Sequence, residues 1–399
     1  MKASDFGPES PGRLVPTVDG AQAFVPDPLP TKFDLEPSVV HLLVKAERSL
    51  GRLDGVTSRL LNPYLLGSPL LRREAILSSR IEGTITTPEQ LVLFEAGAPP
   101  QEDQKVRDAL EVANYVKAMQ HALRRMKTLP ISLRLITEIH KVLMRGVRGG
   151  DVQPGEFRTY QNFVGRPDAS IKDARFVPPP VPEMKTALHA LEGYLHLERG
   201  PLGKPREDIP PLLVRLALTH YQFEAIHPFR DGNGRVGRLL IPLLLISHNR
   251  LDEPLLYMSS YFEKHRSAYY DHLLAVSISG RWTAWVEFFL RGVEESALES
   301  MAQAEALIAL RERWHERFQS ARSSALLLKL VDQLFKSPSI TFGQAAKLLK
   351  VTDVTASSNV RKLVEAGILT ERTGRKWGQV FVAMEIIALI GRRSRGKRS

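Results

Sequence analysis

His227-Pro228-Phe229-Arg230-Asp231-Gly232-Asn233-Gly234-Arg235-Val236-Gly237-Arg238, continued by the apolar run Leu239 to Ile246, carries more chemical information than any other stretch of this chain. It sets an imidazole and a carboxylate beside a glycine-rich turn that opens an apolar helix. The glycines let the backbone approach an oxyanion closely, and the N–H groups at a helix N-terminus bind phosphate. Arg235 and Arg238, three apart, share one helical face and suit two further phosphates. Asp231 suits a Mg²⁺ whose other ligands are phosphate and water. His227 is the only general base in the run, and neighbouring cations favour its neutral, proton-accepting form. The run therefore predicts a polyphosphate–Mg²⁺ site with a base next to it.

Upstream the pattern is mostly helical. Residues 1–34, with Pro8, Pro11, Pro16, Pro26, Pro28 and Pro30, read as an extended arm. Helical spacing begins near Glu36, with Val39, Val40, Leu43, Ala46, Leu50 and Leu53 on one stripe. A second helix has Ser68 as expected N-cap, Pro69 at its first position and Gly83 as left-handed C-terminal cap. Helices are also expected over residues 104–126, 132–144 and 183–197. Between the last two, Gly155 to Val164 and Ala174 to Val177 flank a Gly/Pro/Asp-rich connection and predict a β-hairpin. From Pro211 to Phe318 the helical pattern returns.

The final 79 residues change character. Helices are expected from Ser324, Thr341 and Thr352, followed by alternating segments Ile368 to Arg372 and Gly378 to Ala383. Helix, helix-turn-helix, then a two-stranded wing is a winged helix-turn-helix pattern. The charge follows the same division. Residues 321–399 hold 15 basic and 5 acidic side chains, against 40 and 39 in the remainder, so nearly all of the net +11 lies in this part. That asymmetry points to DNA as a partner. Ser357, Ser358, Asn359, Arg361 and Lys362 are the expected recognition-helix contacts, with Arg375 and Lys376 at the wing tip.

With 43% apolar and 25% charged residues the chain has the composition of a globular protein, and its 399 residues suit two or three domains. The longest apolar stretch is about eight residues against the roughly 20 of a membrane span, so no membrane partner is expected. Cys is absent, which excludes disulfides and thiol chemistry. Met1 to Pro16 lacks a basic-then-apolar leader pattern, and a cytoplasmic location is expected.

The twelve-residue run matches the Fic-family signature, His-x-Phe-x-(Asp/Glu)-Gly-Asn-Gly-Arg-x-x-Arg, at all eight specified positions. At roughly one in twenty per position, chance would produce this on the order of 10⁻⁸ times in such a chain. The chain thus resembles Fic proteins over most of residues 20–320. The resemblance implies a mainly α fold, with a Fic-type helical core and a β-hairpin flap, plus the C-terminal winged helix-turn-helix domain. It divides the chain into the arm (1–34), an N-terminal helical region with an inhibitory helix (35–100), a catalytic core (101–320), the winged helix domain (321–390) and a basic tail (391–399).

Fic proteins transfer AMP from ATP to a side-chain hydroxyl of a target protein. By resemblance, His227 deprotonates that hydroxyl, Asp231 positions Mg²⁺, and Gly232, Asn233 and Gly234 cradle the phosphates. Arg235 then holds the β side and Arg238 the γ-phosphate. Val164 and Gly165 match flap positions near the nucleotide, and Tyr269 is the candidate base-stacking residue. Ser277 stands where some relatives carry Asn at a nucleotide contact. Gly234 stands where Doc-type kinases carry Lys, which favours nucleotidyl transfer over phosphorylation. Ser78-x-x-x-Glu82-Gly83 resembles the inhibitory pattern whose glutamate pairs with the second signature arginine. The resemblance implies an autoinhibited protein adenylyltransferase acting on a Ser, Thr or Tyr hydroxyl of an unknown target or of itself. Its alternatives are a de-AMPylating hydrolase, or a DNA-binding regulator with a nucleotide-sensing core. A homodimer is compatible with each.

Overall fold

The computed structural model describes residues 3–58, 64–147, 153–165, 170–198, 208–318 and 324–391. In chain order its elements begin with β1 (Gly12–Pro16), β2 (Gln22–Pro26), α1 (Pro37–Ser58), α2 (Tyr64–Ile81), α3 (Pro88–Glu95), α4 (Asp103–Arg125), α5 (Leu133–Leu143) and α6 (Val181–Leu195). They continue with α7 (Leu212–Ile226), α8 (Asn233–Ser247), α9 (Ser259–Lys264), α10 (Arg266–Ser279) and α11 (Trp282–Glu316). The last are α12 (Ser324–Lys336), β3 (Ser339–Ile340), α13 (Phe342–Leu349), α14 (Asp353–Glu365), β4 (Thr370–Glu371), β5 (Phe381–Val382) and α15 (Met384–Gly391). Two compact units result. The first takes in Met1–Gly51, Lys117–Arg250 and Met258–Ser296; the second takes in Arg52–Val116, Leu251–Tyr257 and Ala297–Ser399.

The centre of the first unit is α7 packed on α8. Every residue of α7 except Leu212 and Glu224 is buried, as is α8 from Asn233 to Leu245 apart from Gly234. A helix buried on nearly all sides belongs in the middle of a core, and these two bury even their polar residues, Arg215, His220, Gln222, Arg235 and Arg238. Gly237 makes their close approach possible: a Cβ there would stand 2.5 Å from Glu224 Oε1 and 3.2 Å from the Phe223 ring. An aromatic cluster of Phe262, Tyr269, Trp285 and Phe289 surrounds His220 of α7.

The Pro-rich arm is not simply extended. Its β1 and β2 form an antiparallel hairpin in register Gly12↔Pro26 to Pro16↔Gln22, turned by Gly20 at φ 74°. Phe24 N–H donates to Val177 C=O at 2.9 Å, and Ala23 packs with Ala174 and Val177. The expected flap hairpin, by contrast, is reduced among the described residues to one antiparallel bridge, Val164↔Phe176. Its tip, 166–169, lies outside them. Side chains take the place of a strand ladder here. Gln161 Nε2 donates to Pro178 C=O, Arg158 Nη2 to Pro179 C=O, and Asn162 Nδ2 to Phe229 C=O.

In the second unit α2 begins at Tyr64, so Pro69 sits inside it and Ser68 is not its N-cap. Ser68 Oγ instead donates to Lys336 C=O at 2.6 Å. Arg72 Nη1 reaches the same carbonyl, and its Nε pairs with Glu95 at 2.8 Å. The far end of α2 follows expectation. Gly83 at φ 95° donates to Arg80 C=O and Thr84 N–H to Ser79 C=O, which together make a Schellman cap. The C-terminal elements include a third strand the pattern did not reveal, in antiparallel order β3-β5-β4. Thr341 and Gln344 form a reciprocal capping box on α13, and Thr352 caps α14. Val380, Val382 and Ile387 share a small core with Val92 and Ala98 around α3.

Candidate active site

α7 ends where the signature begins. His227 adopts φ 48°, ψ 60°, the left-handed region that costs a non-glycine residue about 1–3 kcal/mol and needs surrounding bonds to hold it. Those bonds are present. His227 N–H donates to Phe223 C=O at 3.0 Å, and its carbonyl accepts from Arg158 Nε at 3.0 Å. Arg158 N–H also donates to Pro228 C=O at 2.9 Å. The buried guanidinium spans the carbonyls of His227, Tyr160 and Pro179, and burial lowers its pKa to about 10. His227 Nδ1 lies 3.4 Å from Glu224 C=O. A carbonyl only accepts, so this contact places the ring proton on Nδ1 and makes Nε2 the basic nitrogen of the neutral ring.

The turn after it is stapled. Asn233, buried at the start of α8, accepts from Phe229 N–H through Oδ1 and donates to Phe229 C=O through Nδ2, both at 2.8 Å. Its side chain is therefore a strut for the turn and does not face a phosphate. Gly232, at φ 81°, donates to Asp231 Oδ1 at 2.5 Å. A Cβ on Gly232 would lie 2.9 Å from Met144 Sδ, so glycine is required by space as well as by conformation. The Asp231 carboxylate is 55% exposed, and both its oxygens lie 3.4 Å from Arg235 Nη2. Arg235 and Arg238 are 2% and 1% exposed. Both are buried cations one helical turn apart, and Arg238 helps lower the His220 pKa to about 3, after burial itself.

Two residues of this framework escaped the sequence reading. His140 of α5 stacks on the Phe229 ring at 3.8 Å and bonds the Asp231 carbonyl; burial lowers its pKa to about 4. Arg158 belongs to the Gly155-Glu156-Phe157-Arg158 run, whose sequence signal is its β-propensity. A lone His on an apolar helix face and a lone Arg in a loop carry no spacing signal.

Other expected site residues fall elsewhere. Tyr269 is fully buried, with its hydroxyl 2.8 Å from His220 Nε2, so it belongs to the aromatic core and presents no face to a base. Ser277 is also interior, paired with Tyr221 OH at 2.9 Å. Val164 is half-buried and Gly165 exposed at the bridge. In the second unit Ser78 is buried, while Glu82 is exposed at the cap position of α2. Ser358, Arg361, Lys362, Arg375 and Lys376 are exposed, Ser357 half-buried. Asn359 is turned inward, donating to Thr355 C=O at 2.8 Å, and cannot read a base. Among the described residues no group of three or more His, Asp or Glu could cage a metal. One exposed carboxylate suits Mg²⁺, which keeps phosphate and water ligands, and does not suit a metal held by protein alone.

Residues 40–124 match the family described as Fic/DOC family N-terminal, and residues 130–245 match the Fic/DOC family; together they span half of the chain. The chain belongs to the Fic/DOC family. The protein adenylyltransferase Fic of Culex quinquefasciatus is 34% identical over 144 residues, 36% of this Fic chain and 24% of that protein. The protein adenylyltransferase Fic of Drosophila willistoni is 27% identical over 258 residues, 63% of this chain and 47% of that protein. The chain thus spans under half the length of these curated relatives. In structure it resembles a Fic family protein from Desulfovibrio desulfuricans G20, with a TM-score of 0.57 and 20% identity, covering 89% of this chain and 98% of the other. That likeness shows a shared fold. Among the described residues no helix is long and apolar enough to cross a membrane.

Proposed function

We propose that this Fic protein is an adenylyltransferase that moves AMP from ATP to a Ser, Thr or Tyr hydroxyl of a target protein. The reading is supported by one observation: His227 is locked in a left-handed backbone immediately before the stapled glycine turn that opens α8, beside the buried guanidinium groups of Arg235 and Arg238. In the reaction His227 takes the hydroxyl proton and the oxygen attacks the α-phosphorus. The bond from that phosphorus to the α–β bridging oxygen breaks, and pyrophosphate leaves. The first N–H groups of α8 receive phosphate oxygens. Arg235 and Arg238, already buried, lose little water when they meet a polyphosphate and act at full strength there. Asp231 would hold Mg²⁺, which supplies charge neutralisation along the phosphate chain.

Glu82 is proposed as the inhibitory glutamate, supported by its place one helical turn after buried Ser78 and by the Schellman cap that fixes it. The test is labelling with ATP carrying radiophosphate at the α or the γ position, with Mg²⁺ present. Label from the α position alone should appear on protein, at least tenfold faster in Glu82→Gly, and not at all in Glu82→Gly combined with His227→Ala. Label from the γ position would make the chain a kinase. Equal labelling with and without His227 would remove the imidazole from the reaction. Release of AMP from a modified target, faster than its formation, would favour the hydrolase.

We also infer a second role, DNA binding by the C-terminal elements as a winged helix. It is supported by how the charges are distributed. Asp332 is engaged by Arg311 and His315, and Glu385 by Arg313 and Trp314, all from α11. Lys347, Lys350, Arg361, Arg375 and Lys376 are exposed, and beside the last two Trp377 is 88% exposed.

A further inference from the structure

His140 touches the signature through a chain of contacts that ends on the Asp231 carboxylate. Gly155 N–H donates to His140 Nδ1 at 2.9 Å. A nitrogen that accepts carries no proton, so the neutral ring bears its hydrogen on Nε2, and Nε2 donates to Asp231 C=O at 3.1 Å. The ring cannot turn away, because it lies on Phe229 with planes 11° apart, and the Phe229 backbone is itself stapled by Asn233. Asp231 C=O and Gly232 N–H belong to one rigid trans peptide and point in opposite directions. Fixing the carbonyl therefore aims the N–H, and that N–H donates to Asp231 Oδ1 at 2.5 Å. Met144 Sδ lies on the same side of Gly232 as the His140 ring, and a Cβ on Gly232 would stand 2.9 Å from the sulfur and 3.6 Å from His140 Nε2.

We propose that His140 is a positioning residue: its Nε2–H orients the Asp231–Gly232 peptide and, through it, the Asp231 carboxylate that would receive Mg²⁺ with a nucleoside triphosphate. The proposal rests on the nucleotide-transfer reading for its ligand. Its geometric half is independent of any ligand.

Three substitutions separate the contacts. His140→Gln keeps a donor near the Nε2 position and loses the acceptor for Gly155. His140→Asn keeps an acceptor near Nδ1 and loses the donor. His140→Phe keeps the ring stack alone. Hydrogen–deuterium exchange of the segment 227–235 in the full, ligand-free chain should quicken about tenfold in the Asn and Phe variants and stay near wild type in Gln. The Mg²⁺ concentration for half-maximal transfer and the KM for ATP should rise about tenfold in Asn and Phe, with kcat changed less and Gln rescuing both. A role in packing alone predicts the reverse, Phe closest to wild type and Gln no better than Asn, and would overturn the proposal. If Asn does not fold, the Gln and Phe pair decides it. A wild-type chain that binds no ATP, yet shows the exchange pattern, would sink the nucleotide reading and leave the positioning role standing.

Discussion

At the scale of single residues, the signature holds candidate ligand contacts and side chains that hold the turn, and residue type does not reveal which is which. Asn233 stands among the phosphate-cradling residues by resemblance, yet both its polar atoms are spent on Phe229. A strut and a ligand contact make opposite predictions. Asn233→Ala should destabilise the ligand-free protein by about 1–3 kcal/mol, because the buried Phe229 N–H loses its acceptor. A phosphate contact would leave the ligand-free melting temperature unchanged, so calorimetry without nucleotide discriminates. His227 shows the same division within one residue. Its ring was legible as a base from the sequence, but its φ of 48° was not, since positive φ in a non-glycine residue is imposed by neighbours. Here the neighbours are Arg158 and Phe223, and Arg158 is distant in sequence.

At the scale of elements, helices with strong local punctuation appear where the pattern puts them. The helix starts at Thr341 and Thr352 and the left-handed cap at Gly83 are all realised. Where punctuation competes with tertiary contact, contact prevails. Ser68-Pro69 reads as a helix start, but α2 runs through it while Ser68 and Arg72 bind Lys336 C=O. The flap segment has β-prone residues but among the described residues forms one bridge, and side chains of Gln161 and Asn162 bond the proline run and the signature turn instead. α14 and the residues between β4 and β5 carry the test of the DNA reading. The full chain should bind duplex DNA with an affinity that falls steeply with salt, and Arg375→Ala with Lys376→Ala should flatten that slope by about two phosphate contacts. Binding that ignores salt, or a slope untouched by both substitutions, would favour a protein partner on this face.

At the scale of the whole molecule, each unit is assembled from stretches far apart in sequence, and three of the five boundaries fall inside α1, α4 and α11, the other two between α8 and α9. Acid sensitivity is a consequence of how the first unit buries its core. His220 is neutral there, with Nδ1 donating to Gly237 C=O and Nε2 accepting from Tyr269 OH. Its pKa of about 3 lies below the unfolded value near 6.5, so the unfolded chain binds the proton first. Its contribution is complete above pH 6.5 and is lost as pH falls from there toward 3. The expected slope is ~1 kcal/mol per pH unit over that window for this group. Thermal melts from pH 7 to pH 4 should show it, and His220→Gln should reduce the slope by about one proton. An unchanged slope would mean that other groups set the acid limb.

The amino-acid order alone determined the mainly helical class, most helix ends and the family, and it singled out His227, Asp231, Arg235 and Arg238 as the candidate base, carboxylate and phosphate contacts. These are local or motif-bound properties: periodicity, cap chemistry and a fixed twelve-residue frame survive without knowledge of distant contacts. Tertiary structure alone decided that Tyr269 and Asn359 face inward, that Asn233 is a strut, that a third strand joins the C-terminal sheet and that His140 and Arg158 hold the turn. Each of these depends on which backbone carbonyl or ring a side chain meets across 4 to almost 100 residues. No one-dimensional spacing encodes that meeting; only the packed core brings the partners within bonding distance.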